Sequence, residues 1–96
     1  MIVFAAEALT DLEVILRFNA DFDKAWALGQ IETIRSAIAI LEQHPRIGRP
    51  LSAGMRELVI SAGKAGSIAL YHYEELDRLV RVLAVRHQRE AGYRGR

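Results

Sequence analysis

The apolar residues of this sequence change their pattern at Pro45, and that change constrains the fold more than any other feature. Before Pro45, apolar side chains keep a helical spacing over about twenty residues: Ala25, Leu28, Ile31, Ile34, Ile38 and Leu41. Pro45 ends this helix because proline has no N–H to donate to the preceding turn. After an irregular loop at residues 46–50, the rest of the chain is rich in β-favourable residues.

Three short β-rich segments make up this second half. They cover residues 57–61, 67–74 and 79–86, and the connections at 62–66 and 75–78 are short enough for hairpins. Consecutive hairpins form an antiparallel meander. Residues 2–4 are also β-favourable, and we expect them to add a strand at the edge of the meander.

A first helix is predicted from residue 7 to about residue 19. Its apolar residues recur every three to four positions: Leu9, Leu12, Ile15 or Leu16, and Phe18. Asp21 or Asp23 then caps the second helix, and the short break between the helices makes them antiparallel. The predicted fold is α+β with the order β-α-α-β-β-β: a helical hairpin packed on an antiparallel sheet, in one domain of residues 1–96.

Composition narrows the class of protein. The 96 residues include no cysteine, which fits a reducing cytoplasm, and no apolar run reaches the ~20 residues that a membrane helix needs. Residues 1–45 carry three basic and seven acidic side chains (net −4), and residues 46–96 carry ten and five (net +5). We therefore expect a cytoplasmic protein whose second half meets an anionic partner; alternatively, the arginines only keep the sheet soluble.

The three histidines do not suggest a metal site. His44 lies at a predicted helix end, where an imidazole suits the helix dipole. A hairpin pairing His72 with about Val80 separates His72 from His87 by about 20 Å. With no cysteine and no close histidine spacing, we predict neither a metal site nor a cofactor.

The strongest candidate for chemistry is the C-terminal run at residues 86–93, which contains Arg86, His87, Arg89 and Tyr93. Guanidinium groups bind phosphates or carboxylates through paired hydrogen bonds, histidine exchanges protons near neutral pH, and tyrosine stacks or donates a hydrogen bond. The run suits an anion, a nucleic acid or an acidic protein surface. The alternative is a frayed, solvated terminus.

Several of these features together resemble a known superfamily. They are the order of elements, the Arg-x-Gly-Arg-Pro loop at 46–50, the run Arg-Glu-Leu-Val-Ile-Ser from residue 56, the strand Ile-Ala-Leu-Tyr-His-Tyr from residue 68, and the ending Arg-His-Gln-Arg-Glu-Ala-Gly-Tyr. The sequence resembles the ParE-like branch of the RelE/ParE toxins of type II toxin–antitoxin systems over nearly its whole length.

The resemblance implies an antitoxin partner that blocks the toxin and, for this branch, DNA gyrase as the target. We expect the antitoxin to contact Phe18, Phe22, Trp26 and Arg56. We expect the target to be bound by Arg86, His87, Arg89 and Tyr93.

RelE-like relatives instead cut messenger RNA on the ribosome with basic side chains on the sheet. Here residues 58–60 and 68–70 are apolar, so a nuclease would lack cations to stabilise the phosphate in the transition state. We therefore predict a toxin that binds rather than cuts. Two alternatives stay open: a reduced nuclease site at Arg81, Arg86, His87, Arg89 and Tyr93, and a module that binds an antitoxin without being toxic.

Overall fold

The computed structural model describes residues 1–21, 23–60 and 66–87, without the side chain of Asn19. The helices are α1 (Ala6–Ala20) and α2 (Lys24–Ala39), and the strands are β1 (Ile2–Phe4), β2 (Arg49–Pro50), β3 (Met55–Ile60), β4 (Ser67–Glu74) and β5 (Leu79–His87). Short 3₁₀ turns lie at Ile40–Glu42 and Ser52–Gly54. The predicted α+β order is confirmed, and β2 is an additional two-residue strand within the loop that follows α2.

The sheet has the strand order β1-β5-β4-β3-β2. The predicted meander is confirmed, since β3, β4 and β5 pair antiparallel in succession. The first strand joins its edge as expected, but β1 runs parallel to β5, with Ile2 opposite Val80. The sheet is therefore mixed rather than antiparallel throughout. A parallel pair needs a long crossover between its strands, and the two helices with the rest of the meander provide one.

Helix α2 begins where the sequence predicted, because the Asp23 carboxylate accepts a hydrogen bond from Trp26 N–H at 3.0 Å. Its buried stripe is shifted relative to the prediction. Ala27, Ile34, Ile38 and Leu41 are buried and Ile31 is half-buried, whereas the predicted Ala25 and Leu28 are exposed. Positions 27, 31, 34, 38 and 41 are separated alternately by four and three residues. This spacing keeps them on one side of the helix, and that side is the buried one.

Helix α1 shows the same kind of shift. Ala8 is fully buried and Leu12 and Ile15 pack against the core, but Leu9 and Phe18 are mostly exposed. An alanine at the contact lets α1 lie close to both α2 and β5, against which it packs. None of the described helices is long and apolar enough to span a bilayer. The predicted helix is confirmed, and so are the inward positions of Leu12 and Ile15, whereas the predicted inward positions of Leu9 and Phe18 are wrong.

Candidate functional site

The pairing registers assign the side chains of the sheet to two faces. Residues opposite each other on antiparallel strands share a face, and neighbours along one strand alternate. Leu58 lies opposite Ala69 and Ala69 opposite Val85, and all three pack into the core with the helices. We call the other side the open face; it carries Met55, Glu57, Val59, Ile68, Leu70, His72, Glu74, Leu79, Arg81, Ala84 and Arg86.

A bulge in β5 decides which of its residues reach the open face. Residues 70 and 71 of β4 pair with Ala84 and Val82, so Leu83 is inserted between two paired positions. One inserted residue reverses the alternation of all that follow it. In a regular strand Arg86 would share the core face of Val82. The bulge places Arg86 on the open face instead.

Two arginines on this side of the sheet form ion pairs with glutamates on neighbouring strands. Arg49 on β2 pairs with the buried Glu57 on β3, which lies directly opposite it. Arg81 Nε on β5 lies 2.9 Å from Glu74 Oε2 on β4. The same face also carries the apolar side chains of Val59, Ile68 and Leu70. The charges of Arg49 and Arg81 are therefore balanced within the sheet.

The predicted target-binding set is only partly described. Arg86 lies on the open face and is only 6% exposed. His87 lies opposite Ser67, so it is on the helix-covered face, where it is half-buried. Arg89 and Tyr93 lie outside the described residues. A joint role for these four residues stays a prediction.

The sequence predicted that His72 and His87 lie far apart, and the pairing of β4 with β5 agrees with this prediction. His72 lies opposite Arg81, one position beyond the expected Val80, because the turn is centred between residues 76 and 77. His87 is near the other end of β5 and on the other face. In the described ranges, no group of three His, Asp or Glu side chains is placed to hold a metal ion.

The loop after α2 is held against the sheet by two side chains. The fully buried Tyr71 hydroxyl donates to the Pro45 carbonyl at 2.8 Å and accepts from Gly48 N–H at 2.9 Å. Arg56 Nη1 donates to the carbonyl oxygens of Arg46, at 3.0 Å, and Gly48, at 2.8 Å. Arg56, which we had expected at the antitoxin interface, thus holds this loop. An antitoxin contact of Arg56 stays a prediction.

Tyr71→Phe is expected to lower the free energy of unfolding by about 1–3 kcal/mol, because it removes both hydrogen bonds that anchor the loop. Tyr73→Phe is the matched control: its ring lies 5.1 Å from the Arg46 guanidinium carbon, and phenylalanine keeps that contact. We expect the control to change stability by less than about 0.5 kcal/mol. Urea unfolding followed by circular dichroism measures both variants, and equal losses would contradict an anchoring role for the Tyr71 hydroxyl.

The helical hairpin exposes aromatic side chains on both sides of its turn. Phe18, near the end of α1, is 67% exposed, and Trp26, in the first turn of α2, is 45% exposed. Val14, one turn before Phe18, is also exposed. Phe22 lies outside the described residues. Exposed aromatic side chains are the anchors that protein partners bury most effectively, so two of the predicted antitoxin contacts are accessible.

Three residues that shape the site were not predicted from the sequence: Arg49, Glu57 and Asp11. The first two required the β2–β3 register, which no local pattern reveals. Asp11 is 6% exposed, and its Oδ2 accepts a hydrogen bond from Val85 N–H at 2.9 Å. The sequence did not reveal the role of Asp11, because Asp11 shares a helix face with Ala8, three residues earlier, and only the structure shows that Ala8 is buried. A carboxylate at such a position calls for a specific partner.

Comparison with known proteins agrees with this fold. A chain of the chromosomal ParDE toxin–antitoxin system from P. aeruginosa is similar with a TM-score of 0.77 and 19% identity, over 90% of this chain and 92% of that one. A chain of the RelBE2 toxin–antitoxin complex from Mycobacterium tuberculosis is similar with a TM-score of 0.58 and 23% identity, over 92% and 96%. No curated protein matches the sequence.

A family model covers almost the whole chain. It is that of the ParE toxin of the type II toxin–antitoxin system parDE, and it matches residues 2–92. The two-helix layer, the mixed sheet and this match agree with one another. The chain therefore belongs to the family of ParE toxins of type II toxin–antitoxin systems.

Proposed function

We propose that this toxin acts by binding DNA gyrase rather than by cutting RNA, and that a cognate antitoxin neutralises it. The observation that carries the proposal is that Arg49 and Arg81, on the open side of the sheet, are each paired with a glutamate. Cleavage of RNA needs cationic groups directed at the charge that develops on the phosphate. Arg49 and Arg81 are instead directed at Glu57 and Glu74, beside apolar side chains. Such a surface is better suited to a protein partner than to an RNA backbone.

Membership of the ParE family supports gyrase as that partner. We assign the contact to Arg86 and His87, the last two residues of β5, and to Arg89 and Tyr93, which follow them in the sequence. Arginines bind protein carboxylates through paired hydrogen bonds, and tyrosine contributes a large rigid contact surface. We call residues 86–93 the target-binding segment, because these residue types are common in protein interfaces.

The antitoxin is proposed to cover the helical hairpin at Phe18, Phe22 and Trp26. The two similar chains described above come from toxin–antitoxin systems. The exposure of Phe18 and Trp26 provides apolar anchors. An acidic antitoxin segment would in addition complement the net charge of +5 in residues 46–96.

A supercoiling assay with purified gyrase and purified toxin tests the proposal. We expect inhibition that depends on toxin concentration and is relieved by an equimolar antitoxin. Induction of the toxin alone in bacteria should cause filamentation and DNA-damage signalling while translation continues. Unimpaired supercoiling together with growth arrest would exclude gyrase as the target.

A ribosome-dependent nuclease is the second candidate, and one observation favours it: Arg81 and Arg86 both lie on the open face. Prompt arrest of protein synthesis with cut messages, in cells and in a purified translation system, would support this activity. Healthy growth with soluble toxin would leave the antitoxin-binding module as the function.

A further inference from the structure

Strand β5 pairs with β1 along only the first half of its length. β1 pairs with it only as far as Val82, and Ala5 N–H makes the last backbone hydrogen bond, to the Val82 carbonyl at 2.8 Å. In the described part of the chain, no strand continues on that side beyond Val82. Beyond Val82, a side chain provides a hydrogen-bond acceptor for β5: Val85 N–H donates to the carboxylate of Asp11 on α1. This hydrogen bond is buried between the helix and the sheet.

This hydrogen bond lies immediately beyond the bulge at Leu83. The bulge is what places Arg86 on the open face, and a one-residue slip of the strand would return Arg86 to the core face. While its N–H donates to Asp11 on α1, Val85 cannot turn that N–H toward β4. The hydrogen bond therefore fixes the pairing of β5 with β4 after the bulge. The Asp11 carboxylate and the bulge thus act on the same short stretch of backbone.

Packing alone does not explain an acidic residue at this position. Asp11 shares the inward side of α1 with Ala8 and Leu12, and burying a carboxylate costs free energy unless it is hydrogen-bonded. An apolar side chain would fill the same place without that cost. The hydrogen bond from Val85 N–H is an interaction that aspartate makes here and leucine would not.

We propose that Asp11 is a positioning residue for Arg86, the first residue of the target-binding segment. It locks the bulged register of β5 and so directs Arg86 to the open face. The inference rests on the proposed function, since it assumes that this segment carries the toxic activity. Asp11 itself does not touch the target.

The test compares Asp11→Asn, Asp11→Leu and Asp11→Ala in the full-length toxin purified from its antitoxin complex. Asparagine keeps an oxygen acceptor of the same shape, whereas leucine and alanine remove it. Leucine keeps the branch at Cγ but is bulkier than aspartate, and alanine adds no bulk, so an effect shared by both variants does not come from overpacking. Glu13→Gln is the control for charge, because Glu13 lies on the exposed side of the same helix, with 64% of its side chain exposed. The readouts are Val85 amide exchange by NMR, the half-inhibitory concentration toward gyrase, and the antitoxin affinity.

For Asp11→Leu and Asp11→Ala we expect Val85 exchange and the half-inhibitory concentration each to rise by about tenfold or more. Antitoxin affinity should stay within about threefold, because Phe18 and Trp26 are elsewhere on the helices. Asp11→Asn and Glu13→Gln should behave like the wild type. A general loss of stability would instead weaken antitoxin binding and toxicity together.

Faster Val85 exchange with unchanged inhibition in the leucine and alanine variants would overturn the positioning role, and so would a failure of asparagine to rescue. If the wild type arrests growth without inhibiting gyrase, the proposed target is wrong. Growth inhibition then replaces the gyrase readout, and the same four variants still decide the role of Asp11.

Discussion

Simultaneous replacement of Arg86, Arg89 and Tyr93 by alanine is expected to abolish toxicity and to leave antitoxin binding measurable. These residues supply the guanidinium and aromatic groups of the proposed target-binding segment, and such side chains dominate the binding energy of protein interfaces. We expect the half-inhibitory concentration toward gyrase to rise by about 100-fold or more. Supercoiling assays and growth after induction measure the loss, and calorimetry measures antitoxin binding.

The burial of Arg86 requires a second variant, since its replacement also removes packed atoms. The double variant Arg89→Ala and Tyr93→Ala keeps Arg86 and is expected to lose most of the activity. Arg17→Ala combined with Arg35→Ala removes two exposed charges from the helices and serves as the control. Full toxicity of the triple variant would show that the target is bound elsewhere.

The second large effect is expected for variants of the helical hairpin, which should lose antitoxin binding and keep toxicity. Phe18→Ala and Trp26→Ala should each weaken antitoxin binding by about 30-fold, equivalent to about 2 kcal/mol, because buried aromatic anchors concentrate the binding energy. Both side chains are substantially exposed in the free chain, at 67% and 45%, so the fold should tolerate the changes. Calorimetric titration with antitoxin measures the affinity.

Leu76→Ala is the matched control for this prediction. Leu76 is a fully exposed apolar residue at the β4–β5 turn, away from the hairpin of helices. Its replacement should leave the antitoxin affinity unchanged. Toxicity of the Phe18 and Trp26 variants should persist, and antitoxin should rescue growth less well. Equal affinities of all three variants would place the antitoxin on another surface.

Local patterns predicted the type and order of the elements because these depend on interactions within a few residues. The helical repeat ending at Pro45 and the β-rich segments after it correspond to α2 and to β3, β4 and β5. Which face of each helix is buried was harder to predict. Leu9 and Leu28 were expected inside, yet Ala8 and Ala27 are buried instead, because small side chains allow the closest approach of α1, α2 and the sheet.

The candidate site depended on features that no local pattern contains. The sequence showed that residues 86–93 are rich in arginine and lie at the end of a strand, and it was sufficient for the family resemblance. It did not show that β1 runs parallel to β5, that Glu57 balances Arg49, or that Asp11 binds the Val85 amide. Each of these is a contact between residues distant in sequence.

The fold type, the element order and the chemistry of the C-terminal run were thus determined by the sequence itself, through short-range spacing and residue type. The face on which Arg86 lies was decided by the tertiary structure alone. A single inserted residue, Leu83, reverses the alternation of β5. Whether a strand adopts such a bulge depends on its partners: β4 on one side, β1 as far as Val82, and the Asp11 carboxylate beyond it.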